Sequence, residues 1–130
     1  MDIVQLTKAE EQVMKILWEV EPATVQHLLE KFELPKPART TISTILSILE
    51  NKGFVAHETQ GKTNVYSSLI KKNEYSNSQL SGILKNYFNN SFASMASFFA
   101  KENNLSLEEL DELLEETKQA LQKENNNSHE

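Results

Sequence analysis

A group of hydroxyl side chains in the first half of the chain is the pattern most able to do chemistry. These residues recur on one side of a predicted helix over residues 38–52, at Thr40, Ser43, Thr44 and Ser47. Surface helix positions are ordinarily filled by stronger helix formers such as lysine and glutamate. Small hydroxyls let a helix approach another surface closely and can exchange hydrogen bonds with phosphate oxygens or base edges. The pattern favours a nucleic-acid contact; a helix that is merely rich in hydroxyls is the alternative.

The side chains that enzymes and metal sites require are scarce. The chain has no cysteine, three glycines and three scattered histidines. Thiolate chemistry, zinc fingers, iron–sulfur clusters and glycine-rich phosphate loops are therefore not expected. No nucleophile and base occur in a known catalytic motif. We predict that the protein is not an enzyme and holds neither a cofactor nor a metal.

Length and composition limit the class of protein. The 130 residues amount to one ordinary domain or two very small ones. With 38% hydrophobic and 25% charged residues, the composition is typical of a soluble globular protein. The first five residues lack the features of a secretory signal, and no disulfide is available. We therefore expect a cytoplasmic location.

The net charge of −6 conceals an uneven distribution. Residues 34–72 contain six basic and two acidic side chains, whereas residues 73–130 carry the excess negative charge. A local positive region in an acidic protein is consistent with an anionic partner at one end. An ordinary solvated surface would give the same pattern.

The first 72 residues predict three helices and a hairpin. Thr7 and Glu10 form a capping box before an apolar stripe that Pro22 ends. A second helix of about ten residues follows Thr24. Apolar residues of the third helix recur on the side opposite the hydroxyls, at Ile42, Ile45, Leu46 and Leu49. Gly53 ends this helix, and two β-rich segments surround residues 60–63. This order is typical of a winged helix-turn-helix.

In that fold the third helix enters the major groove and the hairpin tip lies beside the DNA backbone. We predict two sets of DNA-binding residues on this basis. Those that reach the groove are Arg39, Thr40, Thr41, Ser43, Thr44 and Ser47, and those near phosphates are Lys52, Lys62 and Tyr66. His27 and His57 receive no role.

The second half predicts three short amphipathic helices, the last starting at the capping box of Ser106 and Glu109. About fifty residues of this kind bury too little apolar surface to offset their ordering entropy. We expect pairing with a second copy; a compact monomeric core is the alternative. The predicted dimerisation residues are Leu80, Ile83, Leu84, Tyr87, Phe88, Phe92, Met95, Phe99, Leu110, Leu113 and Leu114. The expected domains are thus 1–72 (DNA-binding), 73–124 (dimerisation) and a disordered tail, 125–130.

Three segments together resemble a known family. They read Leu6-Thr7-x-Ala9-Glu10-x-x-Val13-Met14-x-x-Leu17-Trp18, Thr41-Ile42-x-Thr44-x-Leu46-x-x-Leu49-x-x-Lys52-Gly53-Phe54, and Val65-Tyr66-Ser67. In this order and spacing the chain is similar to the BlaI/MecI/CopY penicillinase-repressor family from about Leu6 to Leu121. The resemblance implies a dimeric transcriptional repressor that binds an inverted-repeat operator upstream of a resistance or stress gene, including antibiotic resistance.

The chain also departs from that family. Lys36-Pro37-Ala38 stands where many members have a tryptophan, and Ser43 and Ile48 stand where some have basic residues. The operator sequence therefore does not carry over. The copper-responsive branch uses cysteine pairs near its end, and this chain has no cysteine. We do not expect copper sensing through thiolates.

The resemblance further implies inactivation by proteolysis, driven by a membrane-bound sensor. The scissile bond in the penicillinase branch is typically Asn-Phe, and alignment back from Leu105-Ser106 places Phe98-Phe99 there. Cleavage within Ser97, Phe98 and Phe99 is the resulting hypothesis.

An alternative for the whole chain is a winged-helix adaptor that binds another protein instead of a specific DNA sequence.

Overall fold

The computed structural model describes residues 3–127. Within them the chain forms helices and one hairpin in the order α1 (Lys8–Val20), α2 (Val25–Lys31), α3 (Arg39–Asn51), β1 (Val55–Gln60), β2 (Thr63–Ser68), α4 (Lys72–Phe88), α5 (Phe92–Glu102) and α6 (Leu107–Asn127). The two strands pair antiparallel. The predicted class, mainly helical with a winged helix-turn-helix and three further helices, is confirmed.

The first two helices begin where their capping residues stand. Thr7 accepts a hydrogen bond from the amide of Glu10, whose carboxylate accepts one from the amide of Thr7. Thr24 caps α2 through the amide of His27. α2 is shorter than expected because Phe32 adopts an extended conformation and packs against the core.

One hydrophobic core holds α1, α2, α3 and the hairpin together. Its buried apolar side chains are Leu6, Val13, Met14, Leu17, Ala23, Leu28, Ile42, Leu46, Leu49, Phe54, Val55, Tyr66 and Tyr75. Each helix contributes the apolar stripe that its spacing predicts. Removal of these side chains from water is the main favourable term in folding this half of the chain.

The backbone on either side of α3 helps to place the hairpin. Ala23, just before α2, exchanges two backbone hydrogen bonds with Tyr66 of β2, at 3.0 and 2.8 Å. Gly53 lies between α3 and β1 with a φ of +83°, a conformation that glycine adopts without strain. The hairpin therefore has a defined position beside α3.

Tyr75, in the first turn of α4, joins the core of the first half. Its ring lies 5.7 Å from that of Phe54 and 6.0 Å from that of Trp18. Its hydroxyl accepts a hydrogen bond from the amide of Leu6 and donates one to the carboxylate of Glu11, at 3.0 and 3.1 Å. These contacts attach the start of α4 to the winged helix.

The chain divides into two compact units, the first ending at Ser81 and the second beginning at Gly82. The sequence places the boundary earlier, after residue 72, because the long-range contacts of Tyr75 leave no signal in local periodicity.

The second unit has little core of its own. Phe88 and Phe98 pack at a ring distance of 5.5 Å, but no residue from 82 to 127 is buried.

α6 continues to Asn127 and so includes the first three residues of the segment expected to be disordered. Residues 128–130 of that segment lie outside the described residues. Among the helices of residues 3–127, none has the length and apolar character needed to span a membrane.

Replacing Tyr75 with phenylalanine should lower the free energy of unfolding by about 1–3 kcal/mol, because the buried amide of Leu6 loses its acceptor. Urea denaturation measures this change. Ser67→Ala is the control, since it removes an exposed hydroxyl from the same unit and its variant should match the wild type. Equal stability of the two variants would contradict this role for the Tyr75 hydroxyl.

Candidate nucleic-acid interface

α3 directs its hydroxyl side chains away from the core. Ile42, Leu46 and Leu49 are fully buried on its inner side. The six predicted groove residues all remain accessible, with Ser43 half-buried and the others exposed, namely Arg39, Thr40, Thr41, Thr44 and Ser47. These six side chains, together with the exposed Ile48 and Asn51, are called the outer surface of α3 below.

The start of α3 is open to an anion. Its N-cap residue, Ala38, has no side chain that can accept from the first amides, and the first turn contains no acidic residue. Arg39 stands at this end, with Nη1 donating to Oε1 of Gln26 on α2 at 3.0 Å. Free amides, the positive end of the helix dipole and a guanidinium are features that suit a phosphate.

The tip of the hairpin presents a basic side chain. Gly61 and Lys62 connect the strands, and Gly61 has a φ of +65°. The Thr59 hydroxyl donates to Oδ1 of Asn64 across the hairpin at 2.9 Å. Lys62 is exposed, and no hydrogen bond or ion pair joins it to another residue of the range 3–127. It is thus available for contact with an anionic surface.

Lys52, expected near phosphates, has an internal partner in the free chain. Its Nζ lies 2.9 Å from both carboxylate oxygens of Glu10. Burial opposes ionisation of Glu10, but the Lys52 ammonium and the Thr7 amide outweigh it and hold the pKa of Glu10 below its ordinary value. The pair joins the end of α3 to the start of α1. Breaking it would leave a buried carboxylate uncompensated, so we leave Lys52 out of the proposed interface.

Tyr66, also expected near phosphates, is part of the core and only 6% exposed. The alternation of β2 turns this side chain inward, and its ring lies 5.3 Å from that of His57. A side chain with so little accessible surface has a packing role. We therefore leave Tyr66 out of the proposed interface as well.

Sequence reasoning missed a contact between α3 and β1. His57, which received no role, has its Nδ1 2.9 Å from the carboxylate oxygens of Glu50 near the end of α3. This contact joins α3 directly to the hairpin. The seven-residue separation spans a helix end, a glycine and a strand, so no regular periodicity indicates the pair.

A second missed contact stabilises the base of the hairpin. The Glu21 carboxylate accepts hydrogen bonds from the amide and hydroxyl of Ser68, at 2.8 to 2.9 Å, and lies 3.6 Å from Nζ of Lys71. Burial opposes ionisation of Glu21, but these donors lower the pKa of its carboxyl overall.

In residues 3–127, no group of three or more potential ligands is arranged to hold a metal ion.

Comparison with known proteins identifies the family. The family model for penicillinase repressors matches residues 6–119. The chain belongs to the penicillinase repressor family. The resemblance to BlaI/MecI repressors expected from the sequence is thereby confirmed. Members of this family are DNA-binding transcriptional repressors and not enzymes.

Two relatives similar in sequence agree with this assignment. The penicillinase repressor of Bacillus licheniformis is 31% identical over 114 residues, covering 85% of this chain and 88% of that protein. The methicillin resistance regulatory protein MecI of Staphylococcus aureus strain N315 is 26% identical over 110 residues, covering 84% and 89%. A solution structure of monomeric Bacillus licheniformis BlaI with the blaP half-operator is 28% identical, covers 56% of this chain and 90% of its own, and has a TM-score of 0.47.

Proposed function

We propose that this penicillinase-repressor family member is a dimeric, sequence-specific transcriptional repressor that acts in the cytoplasm on an inverted-repeat operator of a resistance or stress gene. The observation that carries the proposal is the outer surface of α3. It is accessible and rich in hydroxyls, and it belongs to a chain whose family consists of DNA-binding repressors.

In the proposed complex α3 lies in the major groove, where its hydroxyls reach base edges. Arg39 and the free amides at the start of α3 contact a phosphate. Lys62 contacts the backbone beside the groove. The interface therefore combines contacts that position the protein with contacts that depend on sequence.

The rival function is that of a winged-helix adaptor for another protein. The local excess of basic residues in 34–72 favours DNA, whereas the acidic second half would suit a protein partner. Dependence on salt separates the two, because binding to DNA releases counterions from the phosphates and weakens steeply as salt rises.

The test uses a duplex that the full-length protein selects from a random library, called the selected duplex below. Gel-shift titrations of the wild type over a salt series should give an affinity that falls steeply as the salt concentration rises.

Lys62→Ala should weaken binding to all sequences alike and reduce the salt slope by about one. Thr44→Ala should instead relax sequence preference. Lys85→Ala, in the other unit, is the control for Lys62 and should keep the wild-type slope. Failure to select any duplex, or a flat salt dependence, would favour the adaptor.

Dimerisation is proposed through the second unit and the adjoining end of the first. Many large apolar side chains there are exposed in the single chain, including Leu80, Ile83, Tyr87, Phe92, Phe99, Leu113 and Leu114, while Leu84, Phe88, Met95 and Leu110 are half-buried. So much exposed apolar surface marks an interaction site. A second copy covers it and, by twofold symmetry, presents two α3 helices to half-sites about 34 Å apart.

Leu114→Glu should dissociate the dimer, because a carboxylate would have to be buried against the partner. Sedimentation equilibrium of the full chain measures the mass. Leu34→Glu is the matched control, since Leu34 is an exposed leucine of the first unit and its variant should stay dimeric. A wild-type protein that remains monomeric at micromolar concentration, even with the selected duplex present, would overturn this proposal.

Proteolysis by a sensor-linked protease is the proposed release step, at Ser97, Phe98 or Phe99. In the single chain all three are exposed and lie within α5, a short helix without a buried residue. Local opening of such a helix costs little free energy, which makes its backbone accessible to a protease. After incubation with the cognate induced protease, mass spectrometry should find fragments that end in this segment. An intact chain would contradict the proposal.

A further inference from the structure

One side chain on the outer surface of α3 has a different chemistry from its neighbours. Ile48 is 40% exposed and takes no part in the hydrophobic core. Its neighbours on this surface are polar, with Ser47 beside it and Asn51 one turn later, and both are exposed. An isoleucine this exposed contributes less to core packing than a buried one, and its branched side chain lowers helix propensity.

Thr44, one turn before Ile48, adds a second methyl group at this place. Its hydroxyl donates to the backbone carbonyl of Thr40 at 2.9 Å. The donor is therefore used inside the helix, and a partner meets only the methyl group and the acceptor side of the oxygen. Residues four apart on a helix lie side by side. Thr44 and Ile48 thus form an adjacent pair of methyl-bearing side chains, here called the methyl pair.

Single exposed aliphatic side chains are common and usually need no explanation. The position of the methyl pair sets it apart, because it lies on the surface that faces the bases in the proposed complex. In the major groove, thymine is the one standard base that presents an apolar group, its C5-methyl. Cytosine, adenine and guanine carry no methyl group at their major-groove edges.

We propose that the methyl pair reads thymine by contact with its C5-methyl group, and that Ile48 supplies most of this selectivity. The inference rests on the proposed function, since it requires α3 to lie in the major groove. It adds a specificity-determining residue to the hydroxyls, and one that recognises bases without a hydrogen bond. The chain would then read bases by two kinds of contact, apolar through Ile48 and Thr44 and polar through hydroxyls such as those of Ser47 and Thr40.

Replacing thymine with uracil in the selected duplex tests this directly. Uracil keeps every hydrogen-bonding group and lacks only the methyl, so the two duplexes differ in the group that the methyl pair is proposed to contact. The wild type should bind the thymine duplex more tightly, by about fourfold for each methyl that loses its contact. The quantity measured is the ratio of the two dissociation constants.

Three variants connect that ratio to Ile48. Ile48→Ala should reduce it towards one, whereas Ile48→Val, which keeps a branched side chain, should retain most of it. Ser47→Ala is the matched control: it should weaken binding to both duplexes alike and leave the ratio unchanged. Any effect of uracil on the duplex itself is common to all proteins and cancels in the comparison. Circular dichroism confirms that each variant is folded.

The outcomes distinguish this inference from the proposed function. If Ile48→Ala keeps the wild-type ratio, or if the wild type binds both duplexes equally, thymine reading by the methyl pair is overturned while repressor binding stands. If no duplex is selected from the random library, the proposed function fails and the inference fails with it.

Discussion

α3 has a buried apolar side and an accessible hydroxyl-rich side, and the structure depends on this difference. Burial of Ile42, Leu46 and Leu49 fixes the rotation of this helix about its own axis. Because these residues recur at helical spacing, the hydroxyls on the opposite side must face outward. The surface proposed to meet DNA is thus positioned by packing on its reverse side, and its own side chains remain accessible to a partner.

Carboxylates secure the elements around this core. Glu10 joins the start of α1 to Lys52 after α3, Glu50 joins α3 to His57 of β1, and Glu21 holds Ser68 at the end of β2. Each contact adds a polar link between two segments of the first unit. These three carboxylates have partners within the chain, in a half of the protein that is proposed to approach a polyanion.

The two units differ in how much of their apolar surface they bury. The winged-helix unit closes its own core, with Phe54 and Tyr75 packed at an edge-to-face angle of 72°. The second unit leaves its aromatic and leucine side chains exposed, including Phe99 and Leu114. In the proposed dimer a second copy covers this apolar surface, so the proposed dimerisation and the proposed operator spacing both follow from one deficit of buried area.

Much of this protein is determined by its sequence alone. Local features predict the elements and their order, because each feature depends on neighbours along the chain. They are the capping boxes at Thr7 and Ser106, the proline and glycine residues at the ends of elements, and the apolar stripe of α3. Tertiary structure alone decided that Tyr66 is core, that Lys52 is paired with Glu10, and that the first unit includes Tyr75. These outcomes depend on contacts between residues up to 69 positions apart, and periodicity carries no information about which distant side chains will meet.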